Sequence, residues 1–333
     1  MAGEIPEDGP AFEAMMCEID AELIKQGVAI TARPIMAARH ISLKFGVDFP
    51  IFDPGPHAPP ELRRYGPLSD KVGKWFKHIY GRRLDVDHSP GRIVINIDSD
   101  LYQLRYPRFW GQGEFVISRR FLPKAKLEIN KPFRGNIIEL INDMTEGKAG
   151  LISSETIQSM FDWFPIGLRV FYSLESNSDI ELLRIARSDI ETAVDKLMGP
   201  GNRYADSKWS SLQAVEKCLK AAISLENEQY KKEHSLKGLA KQLADMGIDI
   251  GHPELLDKIQ ARGGIRYGEI QCTRDESLVA HRASIQVIDN LFGVVRKFRS
   301  ELTIRKVGIG STETYEVVKT IRPRVPDGLH HGK

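Results

Sequence analysis

The sequence predicts an α+β protein: an N-terminal mixed domain with a small, mainly antiparallel sheet, then an antiparallel helical bundle, then a C-terminal β-hairpin. Three observations carry this reading. Between residues 92 and 118 short runs are strand-like, and apolar residues alternate with polar ones in places. From residue 180 to 298 apolar residues recur at three- and four-residue steps, the period of helices with one buried face. After residue 299 two more strand-like runs, Leu302 to Val307 and Thr314 to Lys319, flank Gly308-Ile309-Gly310-Ser311, a hairpin signal. The expected organisation is an α+β domain over 1–175, a bundle over 176–298, and a hairpin with a frayed, basic tail over 299–333.

Composition narrows the function classes. The chain has 333 residues, more than one typical domain. Its 41% apolar and 28% charged residues fit an ordinary globular protein. Net charge is +2, so any nucleic-acid surface must be a local patch. Cys17, Cys218 and Cys272 are isolated, which suits a reducing cytosol and argues against a structural zinc. No metal site and no cofactor is expected. No run of 18 apolar residues is present, and the acidic start (Glu4, Glu7, Asp8) is unlike a secretory signal. A cytoplasmic location without a membrane span is therefore expected.

In the first part, Ala11 to Gln26 reads as a helix with Phe12, Met15, Met16, Ile19 and Leu23 on one face. Ile30 to Phe45 is ambiguous. Asp48 to Pro67 carries six prolines and reads as an extended loop. Leu68 to Ile79 returns to helix. Arg92 to Ile97 and Leu101 to Tyr106 read as a hairpin around Asp98-Ser99-Asp100, and Gly113 to Ser118 as a third strand. Asn136 to Asn142 begins a helix, and another runs to Phe164 with Ser154 as its N-cap.

Two features here invite a chemical reading. Asp85-Val86-Asp87 and Asp98-Ser99-Asp100 place carboxylates two apart, as in Mg²⁺-dependent nucleotidyl transfer. Gly81 is followed by Arg82 rather than serine, neither spacing fits, and Asp98 to Asp100 is favourable turn chemistry. Arg105, Arg108, Trp110, Arg119, Arg120, Lys124 and Lys126 mix cations with an aromatic, as a nucleic-acid surface does. Positive charge also guards sheet edges, and that is the simpler account.

The helical region has five parts. The first follows Asn177-Ser178-Asp179, shows Leu183, Ala186, Ile190 and Leu197 on one face, and stops at Gly199-Pro200-Gly201. The second contains Lys208 to Lys220, with Trp209, Leu212, Val215 and Leu219 as its apolar stripe. The third runs from Ser235 to Met246, the fourth follows His252-Pro253, and the fifth runs from Thr273 to Phe298.

Certain residues in this region carry a resemblance. They are Leu183-x-x-Ala186-x-x-Asp189-Ile190-x-x-Ala193, then Trp209-x-x-x-Gln213-Ala214-x-Glu216-Lys217-x-Leu219-Lys220-Ala221, then His234-x-Leu236-x-x-Leu239, then Arg266-Tyr267-Gly268-Glu269 before a long final helix. From Ile180 to Val295 the chain resembles the HEPN (higher eukaryotes and prokaryotes nucleotide-binding) domain. The resemblance implies a helical bundle, commonly dimeric, that binds nucleotide or RNA. Many such domains are metal-independent ribonucleases of toxin–antitoxin and phage-defence systems, so an antitoxin or a nucleotidyltransferase is an implied partner.

The nuclease branch carries an arginine and, a few residues on, a histidine. Arg266 occupies the expected place, but no histidine follows it at that spacing. Arg274 and His281, with six residues between them, satisfy the bare pattern and form the candidate catalytic pair. The candidate nucleotide- or RNA-binding residues are Lys208, Gln213, Glu216, Lys217, Lys220, Arg266, Tyr267 and Glu269, with cations for phosphate and Tyr267 for base stacking. The competing account makes Glu216, Lys217, Arg266 and Glu269 interhelical ion pairs. A third reading is a non-catalytic dimerisation module.

Overall fold

The computed structural model describes residues 4–55, 58–84, 87–123, 132–232, 234–267, 269–300, 302–309 and 312–319. Lys124, Lys126, Asp85, Val86, Gly268, Gly310, Ser311 and the tail from Pro323 to Lys333 lie outside the described residues. Contacts group the chain into two units, Met1–Asp87 and His88–Lys333, where the sequence suggested three parts.

The described residues of the first unit are helical. Helix α1 (Gly9–Lys25) buries Phe12, Met15, Met16, Ile19 and Leu23, the face its period predicts. The ambiguous stretch resolves into a 3-10 turn (Ile30–Ala32) and helix α2 (Arg33–Phe45), which stops at Gly46 in the left-handed region. The proline-rich loop carries only the short helix α3 (Pro60–Arg63) before α4 (Gly66–Tyr80). Arg33 donates to the Tyr80 hydroxyl, which donates to Asp20, so three helices share one polar contact.

The second unit holds both sheets. Strands β1 (Arg92–Ile97) and β2 (Asp100–Arg105) form the expected antiparallel hairpin, with Ile93 opposite Leu104. Asp98 and Ser99 turn it with φ of 51° and 70°, the signature of a type I′ turn. The Asp98-Ser99-Asp100 motif is therefore turn chemistry, and Asp98 pairs with Lys148 at 2.9 Å.

The expected third strand, β3 (Gln112–Val116), does not join that hairpin. It pairs in parallel with β4 (Phe133–Asn136) and antiparallel with β6 (Thr312–Lys319), which pairs with β5 (Leu302–Ile309), giving the order β4-β3-β6-β5. The C-terminal hairpin so returns to complete a sheet begun 200 residues earlier in the chain. Asn136 explains why a helix does not begin there. Its side chain accepts from Ser118 N and Ile138 N and donates to the Ser118 and Arg120 carbonyls, fixing a strand end and a 3-10 turn instead.

Helix α5 (Glu146–Leu151) precedes α6 (Ser154–Ser176), whose N-cap is Ser153 rather than Ser154. The sequence suggested an end at Phe164, before Pro165, yet α6 runs on for another three turns. Burial of Phe164, Leu168, Phe171 and Tyr172 outweighs the hydrogen bond that Pro165 cannot make. Gly167 is needed there: a Cβ would meet the Tyr106 hydroxyl at 2.0 Å. Tyr106 packs against Phe164 and Phe171, and Phe161 stacks on Tyr315 of β6, so one core runs from the sheets into the bundle.

The bundle comprises α7 (Glu181–Met198), α8 (Tyr204–Leu225), α9 (Leu236–Asp245), α10 (Pro253–Ile259) and α11 (Arg274–Val294). Leu183, Ala186, Ile190 and Leu197 are buried on α7, and Leu212, Val215 and Leu219 on α8, as their spacing predicts. Thr273 and Glu276 form a capping box at the start of α11. Arg169 clamps α6 to α11 through a bidentate pair with Asp289, at 2.8 and 2.5 Å. Among the described residues, no helix is long and apolar enough to cross a membrane.

Candidate functional site

Helix α8 positions most of the predicted binding residues. Gln213, Glu216, Lys217 and Lys220 recur at three- and four-residue steps and share one face. They do not point loosely into solvent. Glu216 is buried, and its carboxylate is the centre of a network. Lys220 Nζ donates to Oε1 at 2.6 Å, Gln213 Nε2 donates to Oε2 at 3.0 Å, and His234 Nδ1 lies 2.7 Å from the same oxygen. Lys217 donates to Gln213 Oε1 at 3.1 Å and bridges α8 to α7 through Asp189 at 2.6 Å. Burial pushes the Asp189 carboxyl upward, and the Lys217 ammonium opposes that shift.

Aromatic rings flank the network. Lys220 lies over Tyr230, 5.3 Å from the ring centre. Trp209 is half-buried and lies outside the apolar stripe where its spacing placed it. It meets His234 edge-on at 5.9 Å, and the Arg266 guanidinium lies 5.3 Å from its ring centre. Among the described residues no carboxylate pairs with Arg266.

Lys217 pairs across helices with Asp189, whereas Glu216 pairs with Lys220 on its own helix and with His234, and neither takes Arg266 or Glu269 as its partner. Glu269 is exposed and folds back on its own loop, where a Cβ on Gly264 would meet its Oε2 at 2.6 Å. Tyr267 is 75% exposed, so its ring face is open to a base. Lys208 stands one residue from Trp209 and lines a separate cleft of about 280 Å³ with Gln260, Arg262, Cys272 and Glu276.

The predicted catalytic pair is placed differently. Arg274 is half-exposed and donates to the Ser99 carbonyl at 2.9 Å. His281 is fully buried, and its Nε2 accepts the Val94 amide at 3.2 Å. That amide is on the edge of β1, so the imidazole caps an otherwise open strand edge in the core. Nε2 as acceptor puts the proton on Nδ1, which is buried without a partner among the described residues. Burial, with the Arg282 charge beside it, pushes His281 down to about 4. In this arrangement its ring has no contact with solvent from which an RNA would approach.

Two cations of the basic cluster before the bundle are taken up by the fold. Arg108 pairs with Glu175 at 2.6 Å, and Arg119 donates to the Ile152 carbonyl and to Ser154. Trp110 is exposed.

Sequence reasoning missed three members of the site. Asp189 and His234 stand among the residues of the resemblance but have no partner that the sequence assigns, and the spacing of Trp209 places it in the core. A buried glutamate flanked by lysines on one helix face was the available signal that acceptors and donors from neighbouring segments must converge there.

Comparison with curated proteins gave no match, and comparison with solved structures gave none. Residues 180–289, which hold the whole network from Asp189 to Arg266, match the family model of the HEPN domain.

Proposed function

We propose that the outer face of α8 is a groove that binds a nucleotide or RNA through its phosphates. The HEPN match supports a nucleotide- or RNA-related function for this region. The observation that carries the site is Arg266: an exposed guanidinium held over Trp209, with no carboxylate partner among the described residues. Its donors remain for a phosphate. Lys208, on the same helix as Trp209, adds a cation at the neighbouring cleft, and Tyr267 offers a ring for base stacking. Lys217 and Lys220, neutralised by Asp189 and Glu216, hold the groove's shape rather than supply free charge. On this reading the protein acts as a dimer in the cytoplasm, in a toxin–antitoxin or phage-defence setting with an antitoxin or nucleotidyltransferase as partner.

Thermal shift with a nucleotide set and with single-stranded RNA tests the binding. The wild type should gain stability with one of these ligands, and Arg266→Ala should lose that gain while its own melting temperature stays unchanged. Equal stabilisation of both proteins contradicts the assignment.

The endoribonuclease reading through Arg274 and His281 requires the imidazole to leave the Val94 amide and reach solvent. A wild-type RNA cleavage that survives chelator and vanishes in a folded His281 variant would support it.

A further inference from the structure

We infer that a cleft between α6, α11 and the free edge of β1 binds a small α-amino acid in its zwitterionic form, with Arg282 holding the carboxylate and Glu155 the ammonium. The cleft has a volume of about 190 Å³ and shares no lining residue with the α8 groove.

Arg282 is the central observation. Arg169 and Arg282 both stand where α6 meets α11, and they are treated differently. Arg169 is neutralised by its bidentate pair with Asp289. Arg282, about two turns before Asp289 on α11, lies over Trp163 of α6, 4.7 Å from the ring centre. It is half-buried, and among the described residues it has neither a carboxylate partner nor a hydrogen-bond acceptor. Burial pushes its pKa down, yet a guanidinium stays charged. A desolvated cation without a partner costs stability, and a neutral side chain of similar length would pack there at lower cost. Its fork of donors is therefore open to an acceptor from outside.

The surroundings define that acceptor. His281 takes the Val94 amide at the β1 edge. Asn96, two residues on, turns its own amide to the same edge, where it has no acceptor among the described residues. Asn96, Ser159 and Arg282 thus bring donors to one cleft, which suits a carboxylate. Glu155, exposed in the first turn of α6, is the one carboxylate among the lining residues, and it pairs with no cation among the described residues. One cation and one anion leave the cleft without net charge, which favours a zwitterion over a phosphate dianion. Ile95 and Met160 are buried and give an apolar wall for a short side chain. Drug-sized ligands take about 300 Å³ or more, so this ligand is smaller. Addition of a peptide strand is blocked, because His281 already occupies the Val94 amide.

The test is calorimetric titration of the full chain with each common amino acid, with propionate and with inorganic phosphate. The wild type should bind at least one amino acid, more tightly than propionate or phosphate. Arg282→Met keeps the packing on Trp163 and should weaken that binding at least ~10-fold, the scale of a lost charged hydrogen bond, with a melting temperature no lower than the wild type's. Glu155→Gln changes an exposed side chain, so it should fold normally, weaken the amino acid a few-fold and leave propionate unchanged. Arg266→Ala, in the α8 groove, should bind the amino acid as the wild type does. Wild-type protein that binds no amino acid overturns the assignment, and so does undiminished binding by Arg282→Met. Phosphate or propionate bound more tightly than every amino acid overturns the zwitterion. Should Arg282→Met fail to fold, Glu155→Gln decides: unchanged amino-acid affinity overturns the site.

Discussion

Two histidines of one bundle meet opposite fates. His281 on α11 is enclosed in the core and accepts a backbone amide. His234, just before α9, is open to solvent and donates to a carboxylate. Spacing from an arginine pointed to the first, whereas only the second stands open beside Trp209. The lesson is that contact with a ligand needs access, and access is not visible in a spacing.

The largest expected effect separates the pair by stability. His281→Ala removes a buried ring and strands the Val94 amide, so it should cost about 2–4 kcal/mol in denaturant unfolding. His234→Ala should stay within about 0.5 kcal/mol of the wild type. Equal losses would erase the distinction.

Acid sharpens it next. The pKa of His281 is lower folded, about 4, than the ordinary 6.5 it has unfolded. The unfolded chain therefore binds more protons between these values, and stability falls as pH drops through that window. Stability from this site is intact above pH 6.5, and the loss reaches about 3 kcal/mol by pH 4. Unfolding curves across this range should slope accordingly, and His281→Gln should flatten them.

Smaller effects test the supports of each site. Glu216→Gln leaves Lys220 half-buried against a neutral amide and should cost about 1–2 kcal/mol. Asp189→Asn, which weakens the α7–α8 bridge at a wetter position, should cost less, about 1 kcal/mol. Thr273→Ala breaks the capping box of α11, and a loss of about 1 kcal/mol in the same unfolding assay is expected.

Much of the frame was legible because its signals are local. Gly199 bounded α7, Ser235 and Gly247 bounded α9, and Asp98-Ser99 announced the hairpin turn. The C-terminal hairpin was legible from its two strand-like runs, whereas its pairing with β3 is set by contacts distant in the chain. What escaped was set by distant contacts. Pro165 reads as a stop, and burial of Phe164, Leu168, Phe171 and Tyr172 against residues distant in the chain keeps α6 going. Segment 136–142 has helical composition, and Asn136 overrides it through residues 118 and 120. On α11, Ser277 and His281 are polar, yet both are buried because this helix packs on several sides. On α8 the polar face was recognised, but its partners lie in α7 and at residue 234, which no local pattern encodes.

The most direct measurement is the imidazole nitrogen spectrum of the ¹⁵N-histidine-labelled protein, recorded as single-stranded RNA is added, with His234→Ala and His281→Gln used for assignment. The account predicts that the His234 resonances move with RNA and start from an Nδ1-protonated ring, whereas those of His281 stay fixed. Movement of His281 with a static His234 would contradict it.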